Sequence, residues 1–156
     1  MTPDGQGFIP ADPERDRPPP HYVPAKPNQR YTGLIGPFYE RLDEDHCRWR
    51  GIRIAKRHTN GAGIVHGGFL VTLADSLLGH AIGHATQALP LTMRLSNDFV
   101  QAVKLDDWLE GFAALDGTQD DAAYAHAELY VSGHLVLRSS AVFKLMRRHR
   151  PAEPAR

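Results

Sequence analysis

The chain has 156 residues, 42% of them apolar, and its 18 Lys and Arg balance 18 Asp and Glu. That length can bury one ordinary core but not two, and zero formal charge lacks the basic excess of a nucleic-acid binder or a polybasic membrane-surface protein. A small molecule or another protein is left as the partner.

Residues 1–30 hold eight of the twelve prolines, mixed with Asp12, Glu14, Arg15, Asp16 and Arg17. With little apolar bulk to bury, they read as an extended or disordered arm. The opening MTPDGQGFIP lacks the basic and apolar regions of a secretory signal, and Cys47 is the sole cysteine, so no internal disulfide forms. Both features imply a reducing, cytoplasmic setting. Residues 31–146 read as the folded domain, and the basic stretch 147–156, with Pro151 and Pro154, as a flexible tail.

Within the domain, Gly33 to Leu42 predicts a short helix broken by Pro37, and His46 to Ala55, carrying Trp49, Ile52 and Ile54, a strand. After the turn-rich Thr59-Asn60-Gly61-Ala62-Gly63, the recurrence of Leu70, Leu73, Ala74, Leu77, Leu78, Ala81 and Ile82 predicts one long helix. Its apolar run is interrupted by Asp75, Ser76 and His80 and falls short of a bilayer span, so no membrane anchor is expected. Beyond Pro90 the period becomes two. Leu91, Met93, Leu95 and Phe99 alternate with Thr92, Arg94, Ser96 and Asp98; Trp108 to Leu115 follows, then a turn over residues 116–121. Ala125, Ala127, Leu129 and Val131 make a third run, and Leu135 to Met146 a fourth after the tight turn Ser132-Gly133-His134. One helix and a meander of antiparallel strands is an α+β architecture, and a helix apolar around most of its circumference wants a curved sheet wrapped about it.

The chemistry concentrates at the start of that helix, in Asn60-Gly61-Ala62-Gly63-Ile64-Val65-His66-Gly67-Gly68 followed by Phe69-Leu70-Val71-Thr72-Leu73-Ala74-Asp75. The first turn of a helix presents unpaired N–H groups and the positive end of the dipole, and glycine lets a ligand oxygen come close. Asp75 lies two turns in, on a stripe with Gly68, Thr72 and Gly79. Alone, such a carboxylate could equally cap a neighbouring loop. His80 and His84, four apart on the helix, lack a third ligand of suitable spacing. The basic run Arg48, Arg50, Arg53, Lys56 and Arg57 is compatible either with coenzyme A phosphates or with a solvated strand face.

Asn60, Gly63, His66, Gly67, Gly68, Leu73, Ala74 and Asp75 together resemble the hot-dog-fold acyl-CoA thioesterases of the PaaI-like branch, over about residues 46–146. The resemblance implies a hot-dog fold and hydrolysis of an acyl-CoA, medium-chain or aromatic in its acyl part, without cofactor or metal. Asp75 would be general base or nucleophile, Gly67 N–H would hold the oxyanion, Asn60 would orient water or carbonyl, His66 would shape the hole, and Thr92 would place a hydroxyl near the attacking water. Gly68, Thr72, Phe69 and Phe99 are the expected substrate contacts. The family resemblance also implies a homodimer or dimer of dimers, with Asp75 of one subunit facing the Gly67 turn of another. Leu105-Asp106-Asp107 departs from the Gly-Asp pair of relatives and leaves the pocket rim in question. Competing readings are a non-catalytic acyl-CoA-binding or sensing protein and, against the spacing of His66 and Asp75, a hydratase.

Overall fold

The computed structural model describes residues 7–27 and 30–146; the tail 147–156 lies outside them. The elements in chain order are α1 (Pro13–Asp16), β1 (Val23–Pro24), α2 (Tyr31–Ile35), β2 (Tyr39–Leu42), β3 (Arg48–Arg53), α3 (Gly67–Thr86), β4 (Leu89–Phe99), β5 (Trp108–Gln119), β6 (Ala122–Val131) and β7 (His134–Met146). The strands form one antiparallel sheet in the order β1-β2-β3-β5-β6-β7-β4, and α3 packs across β4 to β7.

The helical recurrence read from the sequence becomes the buried face of α3: Phe69, Leu70, Leu73, Ala74, Leu77, Leu78 and Ile82 enter the core with Ile54, just past β3, and with Ile52, Leu109, Leu129, Leu137 and Phe143 from the strands. Burying each large side chain is worth about 1.5–3 kcal/mol, which makes this face the main anchor of the helix. His66 caps the N-terminus, its Nδ1 accepting from Gly68 N–H at 2.9 Å. Gln87, at φ 55°, ends the helix in a left-handed conformation.

Three expectations are revised. The predicted helix over Gly33 to Leu42 is instead the single turn of α2 followed by β2, because Pro37 supplies no N–H and the chain turns extended at Gly36. Residues 116–119, read as turn, continue β5; a bulge at Asp116 absorbs the irregularity, and the reversal takes place at Asp120 and Asp121. In β4 a bulge at Met93 breaks the alternation. Thr92 lies opposite Phe143 and Leu95 opposite Ala141, so Thr92 and Leu95 share the helix-facing side although they are three residues apart. Leu91 therefore faces away from Leu95 and Phe99.

Composition alone left residues 7–27 either extended or disordered. They form a mostly extended strap with one helical turn. The buried Asp16 carboxylate accepts from Tyr39 Oη–H at 2.7 Å and from Asp12 N–H at 2.9 Å, and pairs with Arg15 Nε at 2.7 Å. Arg53 Nε donates to Asp16 O, Tyr22 Oη–H donates to Glu110, and β1 adds to the edge of β2. No helix among the described residues is long and apolar enough to cross a membrane.

Candidate active site

Two polar groups meet where α3 faces β4. The bulge turns Thr92 inward, and its Oγ1–H donates to Asp75 Oδ1 at 2.8 Å. Asp75 is partly exposed, on the flank of α3 beside β4. The carboxylate is thus oriented by a hydroxyl and open to a ligand.

The second group lies at the start of α3. The loop before it is closed by Asn60 N–H to Ile64 O at 2.8 Å, Gly63 N–H to Asn60 O at 3.0 Å and Ala62 N–H to Asn60 Oδ1 at 2.9 Å, with Gly63 at φ 76°. Asn60 therefore holds the loop. His66 N–H donates to His58 O, and His66 Nδ1 takes the Gly68 N–H. Among the described residues no protein acceptor takes the Gly67 N–H, which sits at the positive end of a twenty-residue helix. The Phe99 ring lies over this glycine, so close that a Cβ there would come within 3.2 Å of it.

Gly67, Gly68, His66 and Phe99 are thus together, and Asp75 and Thr92 are together, but the two groups are apart. Asp75 lies eight positions after Gly67 in the helix, about 12 Å along the axis. Phe69 joins neither: it is buried in the core and stacks on the His58 ring at 4.4 Å. Thr72 Oγ1 lies 3.4 Å from Tyr31 Oη.

His58 owes its state to that packing. Burial first, and then the Arg57 charge, push its pKa down to about 4. The neutral ring accepts from Ala55 N–H at Nδ1 and uses Nε2 toward Ile35 O at 2.9 Å.

One feature escaped sequence reasoning. Arg50, which the alternation left as one of several strand cations, is buried, with Nη2 on Glu40 Oε1 at 2.6 Å and Nη1 on Ser76 Oγ at 3.1 Å. Nothing in the local pattern distinguishes it from Arg48. Among the described residues no group of three or more His, Cys, Asp or Glu side chains is placed to hold a metal.

A model of the thioesterase superfamily matches residues 62–137, a span that includes Gly67, Asp75, Thr92 and Phe99 but not Asn60. A Pseudomonas aeruginosa protein named "Putative esterase PA0474" is 36% identical over 114 residues, covering 72% of this chain and 85% of its own length. Among solved structures, a hypothetical thioesterase protein of Streptococcus pneumoniae with coenzyme A aligns at a TM-score of 0.65 and 18% identity, covering 82% of this chain and 99% of that one. A phenylacetic acid degradation-related protein of Ralstonia eutropha aligns at 0.60 and 22% identity, covering 68% and 83%. The shared architecture is the hot-dog fold, a sheet packed around one long helix.

Proposed function

Since the chain belongs to the thioesterase superfamily, we propose that it hydrolyses an acyl-CoA thioester, medium-chain or aromatic in its acyl part, to the free acid and coenzyme A. The observation that carries this reading is the partly exposed Asp75 carboxylate, oriented by Thr92 where α3 meets β4. Coenzyme A in the Streptococcus pneumoniae structure supports the choice of carrier.

In the general-base route Asp75 removes a proton from water as its oxygen bonds to the thioester carbon. The carbonyl oxygen becomes an oxyanion held by a Gly67 N–H, the C–S bond breaks, and the proton on Asp75 passes to the departing thiolate. In the nucleophilic route a carboxylate oxygen of Asp75 attacks, expels the thiolate and forms an anhydride that water cleaves. Thr92 donates to Oδ1 and leaves Oδ2 for either task. His66 and Asn60 shape the turn, and Gly68, Thr72 and Phe99 border the substrate.

An acyl carbon cannot touch a carboxylate and an amide about 12 Å apart along one helix, so the pair is completed by a second copy whose Gly67 turn faces Asp75. The edge of β4 supports this assembly: among the described residues it pairs only with β7, and Leu91, Met93 and Phe99 are 54%, 64% and 57% exposed. Such an apolar edge strand invites pairing. A homodimer, alone or doubled, follows.

The test is thiol release from a panel of acyl-CoA thioesters, acetyl to palmitoyl with phenylacetyl and benzoyl, by the full chain and by Asp75→Asn. Release that depends on Asp75 is expected. Saturable binding without release would make the chain an acyl-CoA-binding protein instead.

A further inference from the structure

A cleft of about 1060 Å³ runs between the strap, α2 and the flank of α3. Phe8 to Ala11, Pro24, Ala25, Pro27 and Phe38 give it apolar walls, and Ser76 and His80 line it on the side of α3. The strap, whose proline-rich sequence had no assigned task, is therefore a wall of this cleft.

Its polar wall is Arg50. The side chain is 10% exposed and is held by Glu40 and Ser76, its guanidinium lies 5.6 Å from the Phe38 ring centre, and its Nε finds no partner among the described residues. A buried ion pair is a poor source of stability, since desolvating both charges costs several kcal/mol per ion and apolar replacements of similar volume are often neutral or better. Stability alone does not account for a guanidinium here. The charges around it are unequal as well. Lys26, Arg48 and Arg50 line the cleft against the carboxylate of Glu40, which Arg48 also approaches at 3.7 Å. The excess is positive.

Position decides what this charge would meet. Ser76 follows Asp75, so their Cα atoms are about 3.8 Å apart and their side chains diverge by about 100° around the helix. Arg50 Nη1 thus touches the residue that follows Asp75 in the chain, and the cleft meets α3 at Ser76 and His80, whereas the phosphates of coenzyme A lie at the far end of the pantetheine arm. The acyl group, bonded directly to the reacting carbon, is the part of the substrate within reach.

We propose that this cleft receives the acyl group and that Arg50 selects acyl groups ending in a carboxylate, which makes the substrates mono-CoA thioesters of dicarboxylic acids. The inference rests on the hydrolytic reading above and narrows it. The strap closes the cleft and sets the length of chain admitted.

The experiment compares kcat/KM of the full chain for three thioesters of equal length: a plain alkanoyl-CoA, its ω-hydroxy form and its ω-carboxy form. The ω-carboxy thioester is expected to lead by about tenfold or more, the range of a hydrogen bond to a charged group. Arg50→Met alone strands Glu40, so the paired Arg50→Met/Glu40→Gln variant is measured beside it, with thermal midpoints to verify folding; in both the preference falls to about one. Ala25→Trp, which fills the strap side, should shift the favoured chain length downward. Equal turnover of the three thioesters by the unmodified chain, or a preference that survives in the folded paired variant, overturns the assignment. No thiol release from any thioester, including the broader panel, overturns the hydrolytic reading itself and this one with it.

Discussion

Thr92 reaches Asp75 only because Met93 is an extra residue in β4: the bulge turns the hydroxyl to the helix-facing side, where it donates to Oδ1 at 2.8 Å. Bulges re-aim side chains in this way beside active sites. If Asp75 is base or nucleophile, Asp75→Asn keeps the shape and the hydrogen bond but loses the basicity, and kcat should fall by about 10²- to 10⁴-fold. Thr92→Ala removes only the orienting bond and should cost about tenfold. Steady-state thiol release by variants with unchanged circular dichroism checks both; full turnover in Asp75→Asn would remove the carboxylate from the chemistry.

Gly67 permits a separate test of the amide. It is the first helical residue, where proline is tolerated, and His66 before it has ψ 130°, the extended conformation that a following proline demands. Gly67→Pro should therefore fold while deleting an N–H that no acceptor takes among the described residues, and turnover should drop by about 10²- to 10³-fold, as for other lost oxyanion donors. Gly67→Ala retains the donor and displaces only the exposed Phe99 ring, so it should be much less impaired. Equal activity in the two variants would show that the amide takes no part.

The edge of β4 predicts an assembly. In Leu91→Lys/Met93→Lys two exposed apolar side chains become charged without touching the core. Light scattering should show a monomer with native circular dichroism and no measurable turnover, because Asp75 has lost the opposing turn. A monomer that remains active would mean that one chain suffices.

The helix was legible because its apolar residues repeat at three and four, a signal that only a buried face produces. The hairpin at Ser132 and Gly133 was legible too, since both adopt positive φ, 49° and 78°, as the residues of a tight turn between strands must. Asp75 and Gly67 stood out as a carboxylate and a helix-start glycine in a recognisable spacing. The bulge at Met93 had no such mark, as inserting one residue changes register without changing composition, and strict alternation therefore put Leu91 and Leu95 on one face. Long-range pairing was equally hidden. Asp16 looks like any acid in a charged, proline-rich arm until Tyr39 and Arg53 are brought to it, and Arg50 like any strand cation until Glu40 and Ser76 close around it. Phe69 was expected at the substrate because it adjoins the Gly67-Gly68 turn, but a residue two positions into a helix has already rotated onto another face, here toward His58.

His58 gives the fold a pH limit. Burial holds its folded pKa at about 4 against 6.5 in the unfolded chain, so the unfolded state binds the proton first. The associated stability is complete above pH 6.5 and is lost as the pH falls toward 4, on the order of 2 kcal/mol. His80, lowered first by burial and then by Arg50, adds a loss of the same sign. Urea unfolding at pH 7.5 and 4.5 should show the decline, and His58→Gln, less stable at neutral pH, should show a shallower one. An identical slope in that variant would assign the pH dependence elsewhere.

Asp16 sets the corresponding test for the strap. Burial raises its pKa, but bonds from Arg15, the Asp12 amide and Tyr39 outweigh it and leave the value below the usual 3.8. The folded state thus favours the carboxylate, a stability present above pH 3.8 and lost in stronger acid. Tyr39→Phe deletes one donor to this buried acceptor and should cost about 1–2 kcal/mol; Asp16→Asn loses the pairing with Arg15 and should cost more. If the strap is part of the same cooperative unit as the sheet, both substitutions lower the urea midpoint of the whole domain, and protease cleavage within residues 7–27 requires global unfolding. Cleavage of the strap at unchanged midpoint would instead make it a separately opening flap, and the cleft it borders would then be gated by that opening rather than fixed by the fold.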